Sequence, residues 1–159
     1  MNKTQLLEQI VARLGENLSM LENAARASHA EATHESSKAE NKYDTRGLEA
    51  AYLAGGQARQ AREILDAIKV YQTLAVRDFR SDEPIEMTAL VELDSAGVRN
   101  TYFIGPKSGG LEIEFQGKET TVITPQSPLG QNLMQKRSGQ RWTTGSGRSA
   151  IKHQILSVS

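Results

Sequence analysis

The hydrophobic period of the chain changes once, at Pro84, and this change most constrains the fold. Before it, Leu7, Leu14 and Leu21 recur every seven residues, which is the spacing of an apolar stripe along a helix. After it, residues 85–92 alternate between apolar and polar side chains, which is the period of a strand. The sequence therefore predicts an α+β protein, with helices followed by a sheet.

The N-terminal part is predicted to form two helices, over residues 3–30 and 46–74. The polar stretch between them, residues 28–45, contains no Leu, Ile, Val, Met or Phe. Because both helices carry an apolar stripe, we expect an antiparallel coiled-coil hairpin with the polar stretch at its tip. Gly55 and Gly56 interrupt the second arm and predict a point of close approach or a bend.

The C-terminal part is predicted to be an antiparallel sheet of about five strands, covered by one short helix. The domain boundaries follow from these patterns: a coiled-coil hairpin over 1–76, a charged linker over 77–84 and a sheet domain over 85–159. The strands are placed at 85–92, 98–104, 111–116, 120–124, 141–144 and 150–158, with turns at 94–97 and 105–110.

The short helix is predicted from the segment VITPQSPLGQNLMQKR, residues 122–137. Ser127 is expected to cap the helix and Pro128 to occupy its first position, where a missing N–H does no harm. Gly139 is available to break the helix. Three apolar side chains would then share the face that docks onto the sheet: Leu129, Leu133 and Met134.

The formal net charge is zero, but the charge is unevenly distributed. Residues 1–74 carry nine basic and ten acidic side chains, whereas residues 120–159 carry five basic and no acidic ones. This asymmetry indicates a partner with negative potential. The five cations are Lys136, Arg137, Arg141, Arg148 and Lys152.

The absence of cysteine excludes disulfides and thiolate metal sites. We find no signal-peptide pattern and no apolar run long enough to span a bilayer, so a cytoplasmic protein without membrane contact is expected. Arg141, Arg148, Lys152 and Trp142 give only a weak signal for direct nucleic-acid binding, since no stacking platform is evident. Trp142 is predicted to belong to the core, and His153 to have a structural role.

The segment TPQSPLGQNLMQKRSGQRW closely resembles the C-terminal signature of the bacterial Gre transcript-cleavage factors, a family of transcription elongation factors. Upstream, VRNTYFIGP resembles the second strand and glycine–proline turn of that family. The similarity is specific over residues 85–158 and mainly architectural before them. It implies an N-terminal coiled coil followed by a globular domain with the fold of FK506-binding proteins.

What the resemblance implies is an accessory factor of RNA polymerase, not an enzyme, and with no tightly bound cofactor. A monomer is expected, and pairing of the apolar stripe between chains is left open. The globular domain would sit at the rim of the polymerase's secondary channel, and the coiled-coil tip would enter the channel. There, tip carboxylates would help to hold a magnesium ion shared with the polymerase, so that backtracked nascent RNA is cleaved. The residues assigned to polymerase binding are Ser127, Pro128, Leu129, Lys136 and Arg137.

The tip departs from the family pattern, which is an acid, two residues and then Glu-Asn-Ala-acid-Tyr. Glu40 and Asn41 match the Glu-Asn of the pattern. Ser37 occupies the position of the leading acid, and the spacing from Glu40 to Tyr43 is one residue shorter than in the family. The acids that a shifted tip would present are Glu35, Glu40 and Asp44, with Glu40 and Asp44 as the magnesium ligands.

Other functions remain open at this point. A Gre-like body with an altered tip can act as a channel inhibitor or a regulator of initiation without cleavage. The tip charges can equally be a solvated, helix-capping set, and the coiled coil can serve as an adaptor for another partner. A prolyl isomerase or chaperone would need an aromatic cavity, whose candidates are Tyr102, Phe103, Phe115 and Trp142; alternation sends Tyr102 and Phe103 to opposite faces.

Overall fold

The structure is a computed structural model that describes residues 2–33 and 46–159. Two helices come first, α1 (Lys3–Thr33) and α2 (Arg46–Thr73). The chain divides into two compact units. The sheet unit is made of Met1–Ile10 with Thr73–Ser159, and the helical unit of Val11–Gln72. Both predicted helices are therefore present within three residues of their expected ends. The predicted domain boundaries and the coiled-coil pairing stay predictions.

The apolar stripe of α1 is its buried side. Leu7, Ile10 and Leu14 are buried, and Leu18 and Leu21 are half-buried. The exposed side carries an ion pair one turn apart, in which the Arg13 guanidinium lies 3.0 Å from the Glu16 carboxylate. The heptad spacing in the sequence thus identifies which side of α1 is removed from water.

Gly55 and Gly56 lie within the continuous helix α2. Apart from the chain neighbours and the backbone of α2 itself, no described atom lies within 4 Å of the place where a Cβ would stand at either glycine. The close approach predicted from the sequence is therefore absent from the described residues, and the bend stays a prediction. The two glycines only weaken the helix, because glycine loses more backbone freedom than alanine on folding.

We expect the double substitution Gly55→Ala, Gly56→Ala to stabilise α2 by about 2 kcal/mol, at about 1 kcal/mol for each glycine. The measurement is thermal unfolding followed by far-ultraviolet circular dichroism, which reports mainly on the two long helices. An unchanged or lowered melting temperature would show that the glycines meet something outside the described residues.

The C-terminal sheet has six strands, one for each of the six segments placed from the sequence, although a sheet of about five was expected. All neighbouring strands are antiparallel except β2 and β4, which run parallel because the chain between them reverses twice. The α+β class, with helices first and then a mostly antiparallel sheet with one short helix, is confirmed. In chain order the elements are β1 (Leu90–Ser95), β2 (Val98–Ile104), β3 (Glu112–Phe115), β4 (Lys118–Ile123), α3 (Pro128–Leu133), β5 (Arg141–Thr144) and β6 (Ile151–Val158), and across the sheet the order is β3-β4-β2-β1-β6-β5.

The first strand begins at Leu90, not at Ile85 as predicted. The Ile85 N–H donates to the Lys136 carbonyl at 2.7 Å, and the Ile85 carbonyl accepts from the Gln135 N–H at 2.9 Å. The backbone then turns at Thr88, whose φ of 69° lies in the left-handed region. Ile85 and Ala89 are therefore buried as expected, but Ile85 is bonded to the segment after α3, and Thr88 and Ala89 are bonded to Ile104 at the end of β2. At its other end β1 runs on to Ser95, so the turn is shorter than predicted.

The main core lies between one face of the sheet and α3. Strand residues from β1, β2, β4 and β6 supply it, and α3 adds Leu133, which is fully buried. Ile85 and Phe79, which precede the sheet, complete the cluster. The sheet residues in this core are Val91, Leu93, Ile104, Ile123, Ile155 and Val158.

Candidate functional site

The turn into α3 has the cap geometry that its sequence predicts. Ser127 is extended, with φ −65° and ψ 154°, and its hydroxyl accepts a hydrogen bond from the Gly130 N–H at 3.0 Å. The same hydroxyl donates to the Thr124 carbonyl at 2.8 Å, which joins the end of β4 to the start of the helix. Pro128 follows at the first helical position. The Ser127 side chain is thus held by two hydrogen bonds, and Pro128 is exposed.

Position 130 requires glycine, because a side chain there would collide with the turn. A Cβ placed there would lie 1.9 Å from the Thr124 carbonyl oxygen and 2.9 Å from the Ser127 hydroxyl oxygen. Nothing in the sequence pattern singles out this glycine, because the contact depends on how β4 enters the turn.

Helix α3 docks as predicted but ends earlier. Leu133 is buried, and Leu129 and Met134 pack half-buried against the core. The helix stops because Gln135 adopts φ 66° and donates its N–H to the Ile85 carbonyl, outside the helical ladder. Gly139, the predicted breaker, lies in the next turn, so that expectation was wrong.

Lys136 and Arg137 follow α3 in fixed positions. The Lys136 ammonium lies 5.5 Å from the centre of the Trp142 ring, within the range of a cation–π contact. The Arg137 guanidinium donates to the Asp82 carbonyl, and its backbone N–H donates to the Gln140 side chain at 2.8 Å. We call Ser127, Pro128, Leu129, Lys136 and Arg137 the α3 surface.

The segment predicted as a charged linker is tied together by Arg77. Its guanidinium bonds the carboxylates of Glu83 at 2.9 Å and Glu86 at 3.1 Å, and lies 3.7 Å from the centre of the Phe79 ring. A hydrogen bond from the Arg80 backbone N–H, and after it the bond from the Arg77 guanidinium, lower the pKa of the Glu83 carboxyl. Since Phe79 belongs to the core, this segment is fixed to the sheet unit.

Lys3 is a buried lysine that the sequence did not reveal. Only 3% of the residue is exposed, and its ammonium donates to the Arg77 carbonyl at 2.6 Å while lying 4.6 Å from the Phe79 ring centre. Burial lowers the pKa of the Lys3 ammonium to about 8; the Asp78 carboxylate opposes this and the Arg77 charge adds to it. A lysine among polar residues near the start of a helix carries no sequence signal of burial.

This lowered pKa predicts a pH dependence of stability. Between pH 8 and the ordinary lysine value of 10.5, the unfolded chain holds a proton on Lys3 that the folded chain lacks. The free energy of unfolding contributed by this group therefore rises with pH across that window, and the gain is absent below pH 8. Urea unfolding at pH 7.0, 8.0, 9.0 and 9.5, followed by the fluorescence of Trp142, measures it.

Lys3→Met is the control for this experiment, because it keeps the length of the side chain and removes the titrating group. We expect its unfolding free energy to rise less between pH 8 and 9.5 than that of the unmodified chain. Equal slopes for the two proteins would contradict the assignment to Lys3.

The predicted tip residues lie outside the described residues. These are Glu35, Glu40, Asn41, Tyr43 and Asp44, so the candidate magnesium ligands are untested by the structure. Within residues 2–33 and 46–159, no group of three or more acidic or histidine side chains is placed to hold a metal ion. Among these same residues, no helix has both the length and the apolarity needed to cross a membrane.

His153 bridges two strands, in keeping with a structural role. Its Nδ1 lies 2.8 Å from the Ser95 hydroxyl and its Nε2 lies 2.7 Å from the Thr144 hydroxyl. The ring stacks on Trp142, with centroids 4.9 Å apart and an interplanar angle of 17°. Trp142 is half-buried against the core, as predicted, and its buried indole N–H has no partner among the described residues.

The aromatic side chains do not gather into one cavity in the described part of the chain. Tyr102 and Trp142 pack against the core cluster, whereas the neighbouring Phe103 points to the opposite face of the sheet. Burial raises the pKa of the Tyr102 hydroxyl. This division argues against the aromatic cavity that a prolyl isomerase would need.

No family model matches the chain, and no curated protein is similar to it. Among solved structures, it is similar to GreA factor homolog 1 (Gfh1) of Thermus thermophilus, with 19% identity over 98% of this chain and 94% of that one, at a TM-score of 0.36. Gfh1 of Thermus aquaticus gives 20% identity over 92% of each chain, at 0.37.

A third similar structure is the GreA/GreB elongation factor of Nitrosomonas europaea, with 14% identity over 60% of this chain and 78% of that one, at a TM-score of 0.36. These structures are Gre-type factors, the family that the sequence resembles. At identities and TM-scores this low, they carry no argument about function.

Proposed function

We propose that this chain is a Gre-like transcription factor that binds RNA polymerase. The observation that carries the proposal is the segment TPQSPLGQNLMQKRSGQRW, which resembles the family signature and folds as a capped turn, a short helix and a basic exit. Within it, the Ser127 hydroxyl caps the helix, and the close approach at Gly130 leaves no room for a side chain.

The α3 surface is the part of the sheet unit that we assign to polymerase binding. Pro128 and Arg137 are exposed, and Lys136 is half-buried over Trp142. Because Arg137 is held by the Asp82 carbonyl and Lys136 by the indole ring, both charges are presented with little freedom to lose on binding. A pre-organised basic surface suits a negatively charged partner face.

We further propose that the segment between α1 and α2 enters the polymerase's secondary channel and modulates elongation. In this proposal the chain is an accessory factor, and any magnesium is shared with the polymerase. The family pattern Glu-Asn at Glu40 and Asn41 supports cleavage of backtracked transcripts, whereas Ser37 at the leading acid favours a channel inhibitor or initiation regulator without cleavage.

The binding step is tested with the charge reversals Lys136→Glu and Arg137→Glu combined. We expect affinity for purified core polymerase to fall at least about tenfold, because two fixed interface charges together contribute on the order of 1.4 kcal/mol or more. Fluorescence anisotropy of labelled protein at low and moderate salt gives the dissociation constants.

Arg99→Glu with Lys107→Glu is the matched control, since it makes the same change in charge at two exposed residues of the sheet unit that do not belong to the α3 surface. We expect the control to bind like the unmodified chain. If both double variants lose the same affinity, the effect is one of net charge, and the α3 surface is not the binding site. Absence of any binding by the unmodified protein at low salt would overturn the proposed function itself.

A further inference from the structure

The hairpin of β5 and β6 carries cations that have no partners. Arg141, Arg148 and Lys152 are exposed and make no side-chain hydrogen bond or ion pair with any described residue. By contrast, Arg77 and Lys118 each bond a carboxylate. Unpaired cations clustered on one hairpin give a local positive potential that nothing in the described part of the chain neutralises.

The strand register places two of these cations on one face. Arg141 pairs with Gln154, and Thr143 with Lys152, so these four side chains share the side of the hairpin that faces away from the core. We call them the β5–β6 patch. Arg141 and Lys152 are diagonal neighbours, at a spacing of about 7–8 Å for such positions.

A groove lies over the β5–β6 patch. Its volume is about 510 Å³, and Asp94 and Gly97 at the end of β1 line its other side. Asp94 is its one acid, and one carboxylate oxygen already accepts the Gly97 N–H at 2.9 Å. With Arg141 and Lys152 against this one acid, the groove is net basic.

The rings that line the groove are those of Trp142 and His153. They are stacked on each other, which covers one face of each, and Trp142 also packs against the core. The groove presents no large aliphatic side chain of the kind that anchors protein interfaces. Phosphate groups, which need only cations and hydrogen-bond donors, fit it better than bases or an apolar peptide.

We infer that the β5–β6 patch, with Arg148 beside it, binds the phosphate backbone of a nucleic acid without reading its sequence. This contact goes beyond the proposed polymerase contact and uses a different surface, since it includes no residue of the α3 surface. Three cations predict about three phosphate contacts, and therefore a slope of about −3 for the logarithm of affinity against the logarithm of salt concentration.

The test uses a labelled 20-base-pair DNA duplex and the RNA duplex of the same sequence, with anisotropy measured from 50 to 200 mM salt. For the unmodified protein, we expect affinity to fall about 40-fold across this range. For Arg141→Gln with Lys152→Gln, one contact remains, and the fall is expected to be about fourfold. The control Arg13→Gln with Arg59→Gln removes the same charge from the helical unit and is expected to keep the steep dependence.

Each other outcome overturns the inference. These outcomes are no binding of either duplex at 50 mM salt, an unchanged slope in the patch variant, or equal losses in patch variant and control.

Polyglutamate binding as tightly as the duplexes would instead assign the groove to an acidic protein segment. The patch variant is expected to bind core polymerase normally, and loss of that binding would make the patch part of the polymerase surface. Trp142 fluorescence checks that each variant is folded.

Discussion

Gly130→Ala is expected to destabilise the sheet unit by about 3 kcal/mol or more, among the larger effects of a single substitution. The added methyl group would overlap the Thr124 carbonyl oxygen at 1.9 Å, so backbone must move. That movement would break the Ser127 cap, which bonds both Thr124 and Gly130. It would also shift α3, whose Leu133 is fully buried in the core.

The measurement is urea unfolding followed by Trp142, which is the one tryptophan of the chain and lies in the sheet unit. Gly109→Ala is the matched control, because a Cβ there would meet the Thr124 methyl at an ordinary 3.5 Å. We expect the control to change the free energy of unfolding by less than about 0.5 kcal/mol. If the two variants unfold at the same urea concentration, the turn tolerates a side chain, and this account of the signature is wrong.

Glu40→Gln is expected to abolish most of any transcript cleavage that the unmodified protein stimulates. If Glu40 and Asp44 hold the shared magnesium, removing one carboxylate lowers cleavage by at least about tenfold, by the general sensitivity of metal sites to their ligands. The amide keeps the shape and removes the charge. Cleavage is measured as shortened RNA released from stalled, backtracked polymerase complexes.

Glu31→Gln is the control within the same polar stretch, because it lies outside the family motif. It is expected to cleave like the unmodified protein, and Asp44→Asn like Glu40→Gln. If cleavage survives in both Glu40→Gln and Asp44→Asn, the tip assignment is wrong. If the unmodified protein binds polymerase and stimulates no cleavage, the inhibitor alternative is supported and the polymerase contact stands.

Local rules explain which parts of the fold were predictable. Ser127 and Pro128 were assigned correctly because capping depends on the residue itself and its next three neighbours. Strand β2 was placed at its observed ends, and β5 likewise, because turn residues bound both. Short-range chemistry is readable from one sequence.

The parts of the fold that were not predicted depend on contacts between segments that are distant in the sequence. The start of β1 was misplaced because Ile85 is bonded to residues near 136, fifty positions away. The parallel pairing of β2 with β4 is set by the whole sheet, and alternation alone does not reveal a partner strand. Lys3 is buried by Arg77 and Phe79, so its environment is absent from its own neighbourhood in the sequence.

The candidate site divides in the same way. The capped turn at Ser127 and Pro128 was predicted, whereas Gly130 was missed, because its role is a contact that appears only when β4 and α3 are assembled. From the sequence, the cations of the β5–β6 patch were recognised as part of an acid-free stretch and as a weak signal for nucleic-acid binding. The register of β5 against β6 was needed to show that Arg141 and Lys152 share a face.

The position of β6 has a consequence for synthesis on the ribosome. It is made after the five other described strands, yet it lies between β1 and β5 and pairs with both. Until it emerges, β1 lacks one neighbour and β5 has none among the described strands, so the nascent sheet exposes unpaired edges. The long helices have only local hydrogen bonds to form and can do so earlier. We therefore expect the helical segments to be protease-resistant on stalled ribosomes before the sheet is.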